Sequence, residues 1–383
     1  MNVPDYTQEP FEWYKKMRQE SPVFREGNAI HIFSYKEISE VLSNYRIFSS
    51  QFRDRLGPEM AEMLNQKTTP SILILDPPVH TTLRNLVNDA FTPATIESYK
   101  DRIRKIASDL IENMRNGEWQ DEVTQFSYIL PITVISEMLG VPQSDSGIFR
   151  TWSDKLATSL GRGPDIETQY EMADYFYSKI DRNGNGNSLI SRLSRVEIDG
   201  RKLSDREIAG FAILLLVAGN ETTTNLITNA LLSIYESPGV YSEMRSNTGY
   251  ISSVVEETLR YRSPVQSTRR FAKADTELHG TEILKDDILF LYLGSANRDE
   301  TIFTEGESFN PHRKTKRHMA FGQGIHFCLG APLARLEAQI ALEEFSKKVA
   351  SYEVKTPEPE DRLDSDIMYG FKKMIIKPEF QNK

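Results

Sequence analysis

The 383-residue chain carries 46 Lys and Arg against 55 Asp and Glu, a formal net charge of −9, and a single cysteine. The acidic balance argues against broad non-specific binding to nucleic acid or to anionic membrane. One thiol excludes an internal disulfide, a four-cysteine zinc site and a cysteine-bound iron–sulfur cluster.

At roughly 150 residues per domain the length suggests two domains. No Pro-, Gly- or Ser-rich linker divides the chain and no repeat is visible, so one domain over residues 1–383 is expected. Met1-Asn2-Val3-Pro4-Asp5 lacks the basic start and apolar stretch of a signal peptide. The apolar run Ile208–Gly219 is shorter than the roughly 20 residues that span a bilayer. No membrane anchor is expected, and the cytoplasm is the expected location.

Val23–Phe33 flanks Gly27-Asn28, a hairpin-type turn between short β segments. In Asp76-Pro77-Pro78-Val79-His80-Thr81-Thr82-Leu83-Arg84, the histidine and arginine lie four apart and share a helix face. Asn183-Gly184-Asn185-Gly186-Asn187 reads as a loop between helices. Ser204-Asp205-Arg206-Glu207 is a capping box, and apolar periodicity continues from it to about Glu236, where Ser237-Pro238 stops it. At 1.5 Å per residue such a helix is roughly 48 Å long. Its middle is apolar nearly all round, which makes it central and buried.

Halfway along that helix the sequence reads Ala218-Gly219-Asn220-Glu221-Thr222-Thr223. An acid and hydroxyls inside a buried helix are costly without a purpose. The Thr222 hydroxyl can bond back to the Ala218 carbonyl and bend the helix beside Gly219. On pattern alone this is either a helix break solvated on one side or a built pocket. Further on, Glu257 and Arg260 share a helix face, a spacing that alone reads as a surface ion pair worth little. Leu278–Leu293 contains the turn dipeptides His279-Gly280 and Asp286-Asp287, and Ile367–Ile376 suggests a small hairpin around Gly370.

The cysteine lies in Phe321-Gly322-Gln323-Gly324-Ile325-His326-Phe327-Cys328-Leu329-Gly330-Ala331-Pro332. Three glycines predict backbone with positive φ or close approach to a flat ligand. Pro332 opens a helix, so Cys328 sits just before an N-terminus whose N–H groups and dipole favour a thiolate. A thiolate on such a loop suits an axial metal ligand, whereas a lone cysteine elsewhere is usually inert and buried.

The pattern Phe-Gly-x-Gly-x-His-x-Cys-x-Gly resembles the haem-ligand loop of the cytochrome P450 monooxygenases, most closely their bacterial and archaeal members. Further family motifs follow in order from about Phe11 to the C-terminus. The resemblance implies a mainly α fold with a small β region. A long central helix passes over haem b (iron protoporphyrin IX), with the cysteine-ligand loop on the opposite face. It implies Cys328 as the iron ligand, favouring O–O cleavage, and Glu221 and Thr222 as an acid–alcohol pair that supplies protons. His80, Arg84, Thr268, Arg270 and His326 are then the haem-carboxylate partners, with Arg269 the alternative to Arg270 and His318 a surface cation. Glu257, Arg260 and Arg313 form a structural network behind the haem.

The same resemblance puts Leu214, Ala218, Gly219, Val265 and Ile367 in the substrate pocket, with the 53–74 loop and the 155–172 region. The substrate is then a hydrophobic small molecule of fatty acid, terpenoid, steroid or polyketide type, hydroxylated with O2 and two electrons. Only residues 329–383 follow the cysteine, so the electrons are expected from a separate ferredoxin or flavodoxin with its reductase. Lys314, Lys316, Arg317 and Arg335 form either a dock for that acidic carrier or a plain solvated charge run. A monomer is expected. A peroxide-driven haem-thiolate enzyme and a haem sensor or carrier are the competing readings, and Glu221-Thr222 counts against both.

Overall fold

The computed structural model describes residues 9–52, 59, 62, 71–88, 91–145, 147–149, 151–152, 155, 165–182, 186, 188–198, 200–314 and 317–381. The Asn183–Asn187 loop therefore falls almost wholly outside the described residues.

The central helix, Asp205–Tyr235, is the axis of the fold. Its start is set by Ser204, whose Oγ accepts from the Glu207 N–H at 3.2 Å while Glu207 Oε2 accepts from the Ser204 N–H at 2.9 Å. These two bonds satisfy donors that a helix end otherwise leaves orphaned. The helix then runs unbroken until the turn at Ser237-Pro238. Helices Ile129–Leu139, Ile166–Lys179, Ile251–Tyr261 and Ala331–Lys348 pack around it. Its apolar residues, among them Ile208, Phe211, Leu216, Leu226 and Leu231, join the largest hydrophobic cluster of the protein.

The main sheet has five strands in the order Val23–Glu26, Ala29–Ile32, Ile288–Leu291, Thr268–Ala272, Phe48–Ser49. All pairings are antiparallel except that of Ile288–Leu291 with Ala29–Ile32. His279 and Gly280, at φ +51° and +73°, close the small hairpin of Thr276–Leu278 with Thr281–Ile283. Left-handed backbone at both central positions matches the strand twist, which is why this turn was legible in the sequence. In the Thr268–Ala272 strand the period of two puts Thr268, Arg270 and Ala272 on one face and Arg269 on the other.

The C-terminal region departs from expectation. No hairpin forms around Gly370 among the described residues. The strand comes later, at Ile375–Phe380, and pairs with Val349–Val354 and Gln120–Asp121. Gly370 is instead where the chain crosses the central helix, since a Cβ there comes within 2.0 Å of Asn225 Oδ1. A glycine that permits close approach had been read as a turn glycine. Two further features were not expected: a hairpin of Glu197–Ile198 with Arg201–Lys202, for which the Asp199-Gly200 dipeptide is a hairpin-type turn signal, and a wide helical turn over Val123–Ser127. The architecture is mainly α with a small β region, and no described helix is long and apolar enough to cross a membrane.

Candidate functional site

One stripe of the central helix is not buried. Leu214, Val217, Glu221 and Thr222 are half-buried and Ala218 is exposed, although flanking positions such as Leu215, Leu216, Asn220 and Thr223 are buried. The spacing of three and four defines a single face, so the helix is left unpacked along one side. Thr222 Oγ1 donates to the Ala218 carbonyl at 2.6 Å. The expected distortion is confined to that bond, since the helix continues through it. Gly219 faces the neighbouring helix, where an added Cβ touches Ile135 Cδ1 at 3.4 Å. Val265 and Ile367 are half-buried and adjoin one another, with the Gln266 N–H donating to the Ile367 carbonyl at 2.7 Å. Most of the 53–74 loop, and residues 156–164 of the 155–172 region, lie outside the described residues.

The cysteine loop is shaped by its glycines. Gly324 has φ +73°, and a Cβ there lies 2.5 Å from the Leu42 carbonyl oxygen, so no larger residue fits the approach to the Tyr35–Ser43 helix. The Cys328 N–H donates to the Phe321 carbonyl at 2.9 Å, which closes the loop beneath the Ala331–Lys348 helix. Burial pushes the Cys328 thiol above its ordinary pKa, and the N–H groups of Gly330 and Ala331 with the charges of Arg84 and Arg335 oppose this only in part. This corrects the expectation that the helix terminus alone favours a thiolate. Desolvation of the sulfur outweighs a partial charge of about half a unit.

A second group of side chains converges beside the loop. The His80 and His326 rings lie 4.3 Å apart, centroid to centroid. His80 is only 2 % exposed, yet neither of its ring nitrogens has a partner, and His326 Nε2 also lacks one. Burial, helped by the Arg270 charge, pushes the His326 pKa down to about 3. Arg270 is buried, which lowers its pKa to about 10, and its Nη1 donates to the Arg269 carbonyl at 2.7 Å. Thr268 lies on the same strand face. Arg84 Nη2 donates to the Phe327 carbonyl at 2.8 Å, next to the cysteine. Arg269 points elsewhere: it pairs with Asp366 at 2.9 Å and lies over the Phe290 ring. Strand alternation thus separates two adjacent arginines that the sequence left as alternatives. Orphaned buried nitrogens are rare and mark a missing partner. Two imidazoles and a buried guanidinium without an anion fit a ligand that brings carboxylates, as haem does.

Behind the loop, Arg260 is 1 % exposed and bidentate to Glu257, at 2.7 and 2.9 Å. Its other donors reach the carbonyls of Asn297, Gly306 and Ser308 at 2.7–2.8 Å. Arg313 Nε donates to Glu257 Oε1 at 3.3 Å, and so does the Asn310 N–H at 2.8 Å. The three residues taken together from the sequence meet in space, and the pair is buried rather than a surface contact.

Other expectations change. His318 is not a surface cation: its side chain is buried, with Nε2 3.1 Å from Glu256 Oε2. Arg335 is held by the same Glu256 at 2.6 and 3.1 Å, which compensates its charge as a docking group. Lys314 and Arg317 are exposed, and Lys316 lies outside the described residues. Two acids were missed. Asp76 is buried and accepts from Ser49 Oγ at 2.7 Å and the Ser50 N–H at 3.1 Å, with Lys273 at 3.5 Å. Glu256 was overshadowed by its neighbour Glu257. Neither carried a signal beyond its charge.

Comparison with known proteins gives a consistent result. The family model described as Cytochrome P450 matches residues 166–381. The chain is 41% identical to the Bacillus subtilis protein YjiB, over 96% of this chain and 93% of that one. It is 36% identical to cytochrome P450 119 of Sulfolobus acidocaldarius, over 96% and 98%. The crystal structure of CYP109E1 from Bacillus megaterium in complex with testosterone superposes with a TM-score of 0.87 at 37% identity, covering 97% of this chain and 99% of that one.

Proposed function

The chain belongs to the cytochrome P450 family of haem-binding monooxygenases, and from that premise we propose that it hydroxylates a hydrophobic small molecule, with Cys328 as the thiolate ligand of the haem iron. The observation that carries this reading is the conjunction around the cysteine loop: a half-buried thiol, two histidines with orphaned nitrogens and a buried arginine lacking an anion among the described residues.

When bound, the haem supplies the redox chemistry that activates O2. The chain's own residues bind and orient it and govern the protons. His80, His326, Arg84, Thr268 and Arg270 would hold the two propionates, with charge-assisted hydrogen bonds from the guanidinium groups. That contact satisfies the nitrogens that are otherwise orphaned. Thr222 has its hydroxyl hydrogen committed to the Ala218 carbonyl. Its oxygen lone pairs therefore face the unpacked side of the helix as acceptors, placed to fix a water or a protonated oxygen there. Glu221, one position away and half-buried, holds and releases the proton through solvent. The apolar face from Leu214 to Ala218, with Val265 and Ile367, excludes bulk water from the reacting centre.

A flat apolar molecule is the best-supported substrate class within fatty acids, terpenoids, steroids and polyketides, because a structural neighbour carries testosterone. Two electrons come from a separate ferredoxin or flavodoxin with its reductase. The whole chain acts as one haem domain, monomeric and cytoplasmic. The acid–alcohol pair argues against a peroxide-only enzyme and against a carrier without turnover.

The test is the carbon monoxide spectrum of the reduced, haem-loaded protein. The thiolate red shift of the Soret band is expected in the native protein and lost in Cys328→Ser; an unchanged band in the variant removes Cys328 as ligand. With a surrogate ferredoxin and reductase, Thr222→Ala should consume electrons with several-fold less product. Equal coupling in both proteins eliminates Thr222 from proton delivery.

A further inference from the structure

Glu256 and Glu257 are consecutive on the Ile251–Tyr261 helix, yet they serve different loops. Glu257 turns to Arg260 and the Asn310–Arg313 segment. Glu256 turns to the cysteine side: its Oε1 accepts from Arg335 Nε at 2.6 Å, and its Oε2 accepts from Arg335 Nη2 and faces His318 Nε2, both at 3.1 Å. A narrow polar gap lined by Ser253, Arg260, Pro311 and the charged groups of both networks lies between them.

The Glu256 network reaches the cysteine by two contacts. The Arg335 guanidinium stacks over the Phe321 ring, 4.5 Å from its centroid. The Phe321 carbonyl in turn accepts the Cys328 N–H at 2.9 Å. His318 is fixed from both sides, because its Nδ1 accepts from the Ala320 N–H at 3.3 Å. That bond leaves the Nε2–H to donate to Glu256. Arg335 and Glu256 are the opposed, bidentate charges of the cluster. The two acidic partners facing Arg335's neighbourhood differ in consequence: Glu257 is neutralised by Arg260 and Arg313, whereas Glu256 is the carboxylate bound to Arg335 itself.

We propose that Glu256 is a positioning residue for Cys328: it clamps Arg335 onto Phe321 and partly cancels the positive charge that Arg335 presents to the cysteine sulfur, so that this ion pair sets the reduction potential of the bound haem. The inference rests on Cys328 being the iron ligand. A cation near a thiolate withdraws its electron density and stabilises the reduced, less positive metal, and a carboxylate paired with that cation opposes the effect. Bidentate geometry makes the pair rigid, which fixes the size of the compensation.

The experiment is spectroelectrochemical titration of the haem-loaded protein, run only once the native carbon monoxide adduct shows the thiolate red shift. Absence of that shift in the native protein overturns the ligand assignment and not the tuning mechanism. Given the shift, Glu256→Gln leaves Arg335 uncompensated, and the potential moves to more positive values. Arg335→Gln removes the cation and moves it to more negative values. The double variant returns close to the native value. Loosening of the loop alone moves both single variants in the same direction, with equal loss of the thiolate-type adduct in each. Shifts of the same sign, or none in either variant, overturn the proposal. Glu256→Asp keeps the charge and should hold the potential near native; a shift as large as that of Glu256→Gln also overturns it.

Discussion

Two charged clusters flank the cysteine loop, and they differ in completeness. Around Arg260, all five guanidinium N–H groups have acceptors: both Glu257 oxygens and the carbonyls of Asn297, Gly306 and Ser308. Around His80 and His326, three buried ring nitrogens have none among the described residues, and Arg270 has no carboxylate of those residues within ion-pair distance. Both clusters are buried and both contain arginine, so burial and residue type do not separate scaffold from binding site. Satisfaction does. A closed network costs stability when broken, and an open one gains stability when its ligand arrives.

The largest effect should fall on the closed cluster. Arg260→Ala leaves Glu257 buried with its main partner gone, and loss of one member of a buried pair costs about 3–5 kcal/mol. Thermal unfolding should show a large drop in midpoint, or little folded protein at all. An unchanged midpoint breaks the distinction, because the network then contributes nothing to folding.

Next comes the open cluster. Arg270→Gln should weaken haem retention by tenfold or more, since a charge-assisted bond to a partly buried carboxylate contributes roughly 1.5–3 kcal/mol. Arg269→Gln disrupts only the partly exposed pair with Asp366 and should change retention less than about twofold. Haem loss to a scavenging apoprotein measures both, and equal rates in the two variants contradict the strand-face argument. His80→Phe sharpens the contrast further. It should lower haem retention while leaving the haem-free protein as stable as native within about 1 kcal/mol, because it removes nitrogens that were already unsatisfied.

The last effect is read as a slope with pH and concerns a buried acid that belongs to neither cluster. Glu122 is fully buried between Ser127 and Thr228, and burial raises its pKa from 4.5 to about 8. The folded state then holds a proton between those pH values that the unfolded state has released. Stability should therefore fall as pH rises from about 4.5 to 8 and level off above. The slope contributed by this one group is at most about 1.4 kcal/mol per pH unit. Glu337, also buried and raised to about 8, adds a like term. Denaturant titrations of Glu122→Gln against native protein isolate the first of the two: the gap should favour the variant increasingly up to pH 8. Parallel curves mean that Glu122 is ionised in the fold.

Much of this was legible before any coordinates. The capping box at Ser204, the turns at Gly27 and His279-Gly280 and the glycine-spaced cysteine loop involve residues within a few positions of one another. Their geometry follows from local chemistry. Gly370 and His318 were misread for the complementary reason. Gly370 exists to admit Asn225, and His318 is buried against Glu256, contacts made by segments far apart in the chain. The argument that a helix N-terminus alone favours the thiolate was incomplete for the same reason. A helix N-terminus is visible in sequence, but the depth to which Cys328 is buried is not.

By itself, then, the sequence determined the helix that crosses the fold and the loop that presents the cysteine, and it named the residues proposed to hold a haem. Short-range hydrogen bonding and periodicity are properties of the chain alone. Only the tertiary structure decided that Arg270 rather than Arg269 faces the two histidines, that Glu256 holds Arg335 against the cysteine loop, and which buried charges are satisfied. Those outcomes depend on which distant segments pack together, and desolvation has no magnitude until they do.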